Sequence, residues 1–446
     1  MSETTSTPAS RVSRRPSSLI FLAAALVAAV TVAGCGIAAS PSESPSPPTS
    51  AEPSASPSGP TASLSPAELE AIYAKIEEQV LALRGLEARK DVAPTILDEE
   101  GLTNYAKRTF AEDNPPEYIA AYERFYRAMG QLDPAVDLEE SFIDLLASQV
   151  LGLYDPDSKD LFVVARSGDV GAAQRATYAH EFDHALQDQH FDSDALTLAG
   201  AIDQGDRLLA RLSLLEGDAY VLMAQWVQEF LTPAELQEFL EESSDPEAMA
   251  ILEQTPGVIR DGLEFPATAG LLFVLDAYQN GGWDAVDALY ERPPDSTEQV
   301  LHPEKYTADE KPVTVTLPTD LAKAMGDGWS EAFEDTYGEF GLRQWLREVI
   351  TDADATDAAA DVAANGWGGD RVVFLEGPSD AYAGAVVTEW DAVDDADEFA
   401  TQATLAAAKL PGETSVLRPS ATRVVVLLAS DAAALAGIGG GLGVAG

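Results

Sequence analysis

The chain is poor in the residues that staple or ligate. Of its 446 residues one is cysteine, Cys35, so no disulfide can form within the chain. Histidine occurs four times, at His180, His184, His190 and His302. Basic residues are scarce as well: 27 Lys and Arg stand against 75 Asp and Glu, a formal net charge of −48. That deficit excludes nucleic acid and anionic lipid surfaces as partners, because both are bound through dense positive charge. The acid excess reads as a solvating shell and says nothing about fold. A run of about 20 apolar residues, the length that spans a membrane, is missing too. The apolar segment nearest the N-terminus, Leu19–Ala33, has 15.

That segment, "LIFLAAALVAAVTVA", follows a Ser/Thr-rich stretch carrying Arg11, Arg14 and Arg15 and precedes Gly34 and Cys35. The order of charged region, apolar region and small residues is that of a secretory signal over residues 1–34. "VAGC" at Val32–Cys35 resembles the lipobox of bacterial lipoproteins, which implies lipidation at Cys35 and an anchor on the outer face of the cytoplasmic membrane. An ordinary signal peptide that happens to contain cysteine is the alternative. Residues 35–65 are rich in Pro and Ser, cannot pack a core, and read as an extended tether. Without its first 34 residues the chain carries 24 basic and 74 acidic residues.

Helix signals begin at Ser65-Pro66, an N-cap followed by proline in the first turn. Leu69, Ile72, Ile76, Val80 and Leu83 then recur at steps of three and four, so one face is buried. Further helical patterns cover Thr103–Ala111, Pro116–Met129 and Leu138–Ser148. The period then changes: Gln149–Ala165 is two short apolar runs around "DPDSK", the pattern of a β-hairpin. Ala172–His190 and Ile202–Phe230 read as helices, and Phe265–Tyr306 as two helices broken at Gly281-Gly282 and then an irregular Pro-bearing segment. Beyond Lys311 the spacing predicts a helix at Ser330–Ile350, strands in "GWGGDRVVFLEG", "AGAVVTEWD" and "TRVVVLLAS", and a helix at Ala392–Ala408. The expected architecture is α+β and mainly helical. One domain (66–310) carries a small hairpin or sheet ahead of the histidine helix. A C-terminal α+β lobe (311–430) has helices on one side of a small sheet, and residues 431–446 form a flexible Gly/Ala tail.

Three of the four histidines fall in "TYAHEFDHALQDQHFD" (177–192). His180 and His184 are four apart, one turn of a helix, and project from one face. Two imidazoles so placed can share one tetrahedral zinc. Glu181 lies beside them, where it can take a proton from a water on the metal during attack on a carbonyl. Asp183, inside the motif, calls for a basic or solvated neighbour. A third ligand has two candidates. His190 follows His184 by six residues, the metzincin spacing, but Gln187 stands where that pattern needs the glycine that ends the helix. If the helix continues, His190 points away from the metal. Glu216, on the following long helix, is the other candidate.

"HEFDHALQDQHF" followed by "LEGDA" resembles a family of bacterial metallopeptidases, often lipoproteins, in the gluzincin group that includes thermolysin-like enzymes. The likeness extends to "LGLYDPDSKDLFVV", to "GGWDAVDALYERPPDSTEQVLHPEKY" and to "NGWGGDR", and so covers most of 66–430. "FPA" at Phe265–Ala267 departs from the FPY expected there. The resemblance implies a zincin-like domain and one Zn²⁺ per chain, held by His180, His184 and Glu216, with Glu181 as general base. It implies a peptide or protein substrate, and a distant His or Tyr for the developing oxyanion, a part open to His302 or Tyr306. Asp218 can orient a ligand imidazole or stand as a helix-surface acid, and His190 is left to packing or to support of the ligands. In zincin-like folds the strand before the motif helix, here Asp160–Ala165, pairs with an extended substrate. The expected function is a membrane-tethered extracytoplasmic zinc metallopeptidase; a zinc-holding envelope lipoprotein without turnover is the rival. Oligomeric state is not legible.

Overall fold

A computed structural model describes residues 64–164, 170–198, 203–243, 246–350 and 357–444. The signal segment, Cys35 and the tether up to residue 63 lie outside the described residues. Among those described, no helix is long and apolar enough to cross a membrane.

The N-terminal helix, Pro66–Arg84, opens with Ser65 and Glu68 capping each other's backbone N–H groups. Its buried face, Tyr73, Ile76 and Val80, packs on the histidine-bearing motif helix, Ala172–Phe191. Strands β1 (Pro94–Leu97), β2 (Gly152–Asp155) and β3 (Asp160–Val164) form a small sheet in the order β1-β3-β2. β2 and β3 are the expected hairpin, and β1 adds to it in parallel. β3 is therefore the central strand, with both edges paired. This corrects the expectation that Asp160–Ala165 offers an edge to substrate: the strand with a free edge beside the motif helix is β2. The sequence shows the hairpin but not β1, whose four residues come from far upstream.

Two long helices complete the frame around the motif helix: the glutamate helix, Gly205–Phe230, and a kinked helix, Gly257–Glu291. The kink falls at Gly282, where φ is 66° and ψ −158°, next to the expected break. The glutamate helix and the kinked helix touch backbone to backbone. A Cβ on Gly217 would lie 2.2 Å from the Gly270 carbonyl oxygen, and one on Gly270 2.2 Å from that of Ser213. Gly217 thus lets a second helix press against the back of Glu216.

The C-terminal lobe is an antiparallel sheet of β4 (Ser330–Asp335), β5 (Trp367–Glu376), β6 (Tyr382–Trp390), β7 (Glu413–Leu417) and β8 (Arg423–Ala429), in the order β4-β5-β6-β8-β7. Three expectations change here. Ser330–Ile350 is not one helix: residues 330–335 are a strand that pairs with β5 and buries Phe333, and the helix starts at Gly338, φ 71°. The sheet is covered on both faces. Val372, Phe374, Val386 and Val426 meet Trp345 and Phe399 on one side; Val373, Leu375, Val425 and Leu427 meet Leu321 and Ile438 on the other. Its central strands are near-continuous apolar runs for that reason. Finally, most of the Gly/Ala segment is ordered: Ala432–Gly441 is a helix that buries Ala434 and Ile438 against the second face. Asp431 caps its first turn through the N–H groups of Ala433 and Ala434. Burial of its apolar residues outweighs the low helix propensity of its glycines.

Candidate metal centre

The motif helix runs unbroken through Phe191 and ends at Asp192, whose φ is 56°. His180 and His184 consequently share a face, and His190 is carried away from it. The His190 ring Nε2 instead meets the Glu87 carbonyl oxygen at 2.8 Å, on the exposed side. The place left for a third ligand is filled from the glutamate helix. Nε2 of His180, Nε2 of His184 and the Glu216 carboxylate converge.

The triangle has the dimensions of a metal site. The two Nε2 atoms lie 3.0 Å apart, and Glu216 oxygens lie 3.4 Å from His180 Nε2 and 3.5 Å from His184 Nε2. Three ligands of a tetrahedral ion at about 2.0–2.1 Å sit roughly 3.3 Å from one another.

Its electronics agree. Gln187 Nε2 donates to the Leu215 carbonyl and to Asp183 Oδ2, which leaves Gln187 Oε1 to accept from His184 Nδ1 at 3.0 Å. The proton of His184 is thereby on Nδ1, and Nε2 presents a lone pair. Beside His180 the Ala219 backbone favours protonation of the ring, against the larger effect of burial. Burial pulls both imidazoles down, His180 to about 3 and His184 to about 4, so both are neutral near pH 7. Burial pushes Glu216 up to about 7 and, with the nearby Glu216 charge, holds Glu181 well above the carboxylate range. Two lone pairs and two carboxyl groups therefore face each other in a buried space. Among the described residues neither Glu181 nor Glu216 is paired with a lysine or arginine. Glu181 Oε1 and Glu216 Oε2 have no hydrogen-bond partner among the described residues either. One divalent cation answers all of these features.

Glu181 is set for work on a bound reactant. Its Oε2 accepts the Tyr154 N–H at 2.7 Å, from the free edge of β2, while Oε1 stays unpartnered. Gly152 makes this approach possible, since a Cβ there would stand 3.1 Å from Glu181 Cγ and 3.0 Å from Thr177 Cγ2. Tyr220, one turn beyond Glu216, lays its ring edge-on to His180 with centroids 4.6 Å apart.

Behind the ligands lies a charge cluster that sequence reasoning touched at one point. Asp183 has its basic neighbour: Arg84, at the end of the N-terminal helix, with Nε 3.8 Å from Asp183 Oδ1. Arg84 also grips Asp218 with two hydrogen bonds of 3.1 and 3.0 Å and reaches Asp287 at 2.7 Å. Its guanidinium stacks on Trp283 at 4.5 Å. Asp218 further accepts from Tyr290 Oη at 2.7 Å. It bonds Arg84 and Tyr290 rather than an imidazole, and it is buried, not a surface acid. Burial alone would lower Arg84; the carboxylates of Asp218 and Asp183 more than reverse that. Nothing in the sequence around "LALRGL" marks Arg84 for this role. Gln187 was visible, but as a departure from another motif and not as the group that orients His184.

The remaining expected residues lie elsewhere. His302 caps the joint between helices Thr297–Leu301 and Pro303–Thr307 and pairs through Nε2 with Glu339, 3.0 Å away. Hydrogen bonding to Glu339 raises its pKa. Tyr306 donates its hydroxyl to the Arg292 carbonyl at 2.7 Å and packs its ring on Phe273.

A His-Glu-x-x-His helix crossed by a second helix that returns a glutamate is the ligand pattern of the thermolysin-like gluzincins, and this chain has it. A family model described as a domain of unknown function (DUF8575) matches residues 325–437, the C-terminal lobe together with most of its last helix. No curated protein and no solved structure matches the chain.

Proposed function

We propose that the protein is a zinc-dependent metallopeptidase, exported and held at the membrane through a lipid on Cys35. The observation that carries the enzymatic part is the placing of Glu181. A site that merely stored a metal needs three ligands. This one adds a fourth residue, a second buried acid, with one oxygen held by the Tyr154 N–H and the other without a partner among the described residues.

His180, His184 and Glu216 would hold the ion, and Gln187 fixes the tautomer of His184. Zn²⁺ in such a site supplies Lewis acidity: it lowers the pKa of water towards about 7 and polarises a carbonyl. Glu181 accepts the proton of the attacking water, and its raised proton affinity suits it to pass that proton to the departing amine nitrogen. The same Glu181 marks where substrate lies. Gly152 and Tyr154 are on the unpaired edge of β2, so an extended peptide pairing with that edge would bring a carbonyl past the base. The export and anchoring part of the reading rests on "VAGC" and the Pro/Ser tether alone.

The test compares wild type with Glu181→Gln in the full chain, by metal content and by cleavage of an unfolded protein such as casein. One zinc per chain in both, with cleavage in wild type alone, is expected. Zinc in both with no cleavage by wild type would leave a metal-holding lipoprotein.

A further inference from the structure

A cavity of 150 Å³ lies where the helical domain meets the C-terminal lobe. Phe125, Tyr126, Phe142, Phe333, Tyr337 and Phe340 give it an aromatic wall. These rings come from three helices, from β4 and, for Tyr337, from the turn between β4 and the helix at Gly338, and the glutamate helix contributes Leu209. Close-packed interiors hold few voids larger than a water molecule. A space of about this volume admits a benzene-sized ring.

Polar groups on the wall are nearly all spoken for. Asp335 accepts from Tyr122 Oη at 2.8 Å, Gly205 N at 2.7 Å and Thr336 N at 2.8 Å. Tyr337 donates to Gln131 at 2.7 Å, and Gln131 donates to Gln344. Tyr126 differs. Its hydroxyl has no hydrogen-bond partner among the described residues. The wall also includes Asp206, so two acids line a space with no lysine or arginine in it. An anion would be repelled there.

We infer that this interlobe cavity is a binding site for a small neutral aromatic molecule bearing one hydrogen-bonding group, its ring among the phenylalanines and its polar atom on Tyr126. Entry is at Gly262 and Val258, which line the cavity and remain partly exposed. A Cβ at Gly262 would meet no atom within 4 Å. The first carbon of a side chain there meets open space at the mouth, and a leucine built from it provides a plug.

The probe is p-cresol, titrated calorimetrically into the full chain in detergent, with benzene and benzoate as companions. Wild type should bind p-cresol saturably and benzoate not at all. Gly262→Leu should weaken p-cresol at least tenfold while its far-UV circular dichroism stays that of wild type, which reports an intact fold independently of the cavity and of any metal. Tyr126→Phe, which removes one oxygen and cannot unsettle the packing, should weaken p-cresol roughly 2–10-fold and leave benzene unchanged. No saturable binding by wild type would overturn the inference, as would tighter binding of benzoate than p-cresol. Binding indifferent to both substitutions would overturn it too. Metal content and proteolysis do not enter these outcomes, so the inference stands or falls apart from the proposed peptidase activity.

Discussion

Two groups of buried acids lie side by side on the motif and glutamate helices, and they are treated in opposite ways. Asp183 and Asp218, joined by Asp287, surround the Arg84 guanidinium, which the chain itself supplies. Glu181 and Glu216 each lie two residues away along the same helices and have no cation among the described residues. A buried carboxylate is stable when neutralised or paired. The first group is neutralised in part by the chain itself, one guanidinium among three acids, and it ties the helices together. Burial and Asp218 still hold Asp183 above the carboxylate range. The second is complete with an ion. Beside the histidines the missing compensation marks the functional site; around Arg84 the shared guanidinium marks a structural one.

The comparison can be attacked from either side. The largest effect belongs to Glu181→Gln, which should lower kcat about 10²–10⁴-fold, the usual worth of a general base, while zinc measured by atomic absorption is unchanged. Next comes Arg84→Met. It leaves three acids around an uncharged chain and should cost about 3–5 kcal/mol in urea unfolding, although Arg84 touches no ligand. A loss below about 1 kcal/mol would mean that the first group is not held by its arginine. Gln187→Leu removes the acceptor on His184 Nδ1 and should weaken zinc about 10–100-fold in competition with a chelator, with folding retained.

Asp206 sharpens the contrast through pH. It is buried, accepts from Thr297 N at 3.1 Å and Thr297 Oγ1 at 2.6 Å, and is pushed up by burial to about 7. A carboxyl whose pKa is raised on folding binds more protons in the native state between about pH 4 and 7. Its contribution is therefore present at low pH and lost as pH rises through that window. Asp206→Asn keeps an acceptor and removes the titration. It should gain about 1–2 kcal/mol at pH 8 relative to wild type and nothing at pH 4, by thermal unfolding at both. The smallest effect is expected of His302→Ala. With its Nε2 on Glu339, its loss should change kcat less than tenfold, and a larger fall in steady-state assays would return the oxyanion role to it.

The chain's own order of residues determined a great deal. His180, Glu181 and His184 were legible because a helix has a fixed pitch, so a four-residue step places two side chains on one face whatever surrounds them. The first helix, the β2–β3 hairpin and the break near Gly282 were legible for the same reason: caps, turn residues and glycine act over a few positions. Even Asp183 announced that it needed a partner, because an acid inside such a motif must be neutralised or wet. Which partner it finds, Arg84 from about a hundred residues upstream, was settled by tertiary structure. So were the pairing of β1 with β3, the strand at 330–335, the burial of Ala432–Gly441 and the turn of Gln187 towards His184. Each depends on what arrives from elsewhere in the chain, and local spacing carries no record of it. Between His190 and Glu216 the sequence offered two completions. The decision fell to a helix that did not stop and to two glycines that let another helix come close.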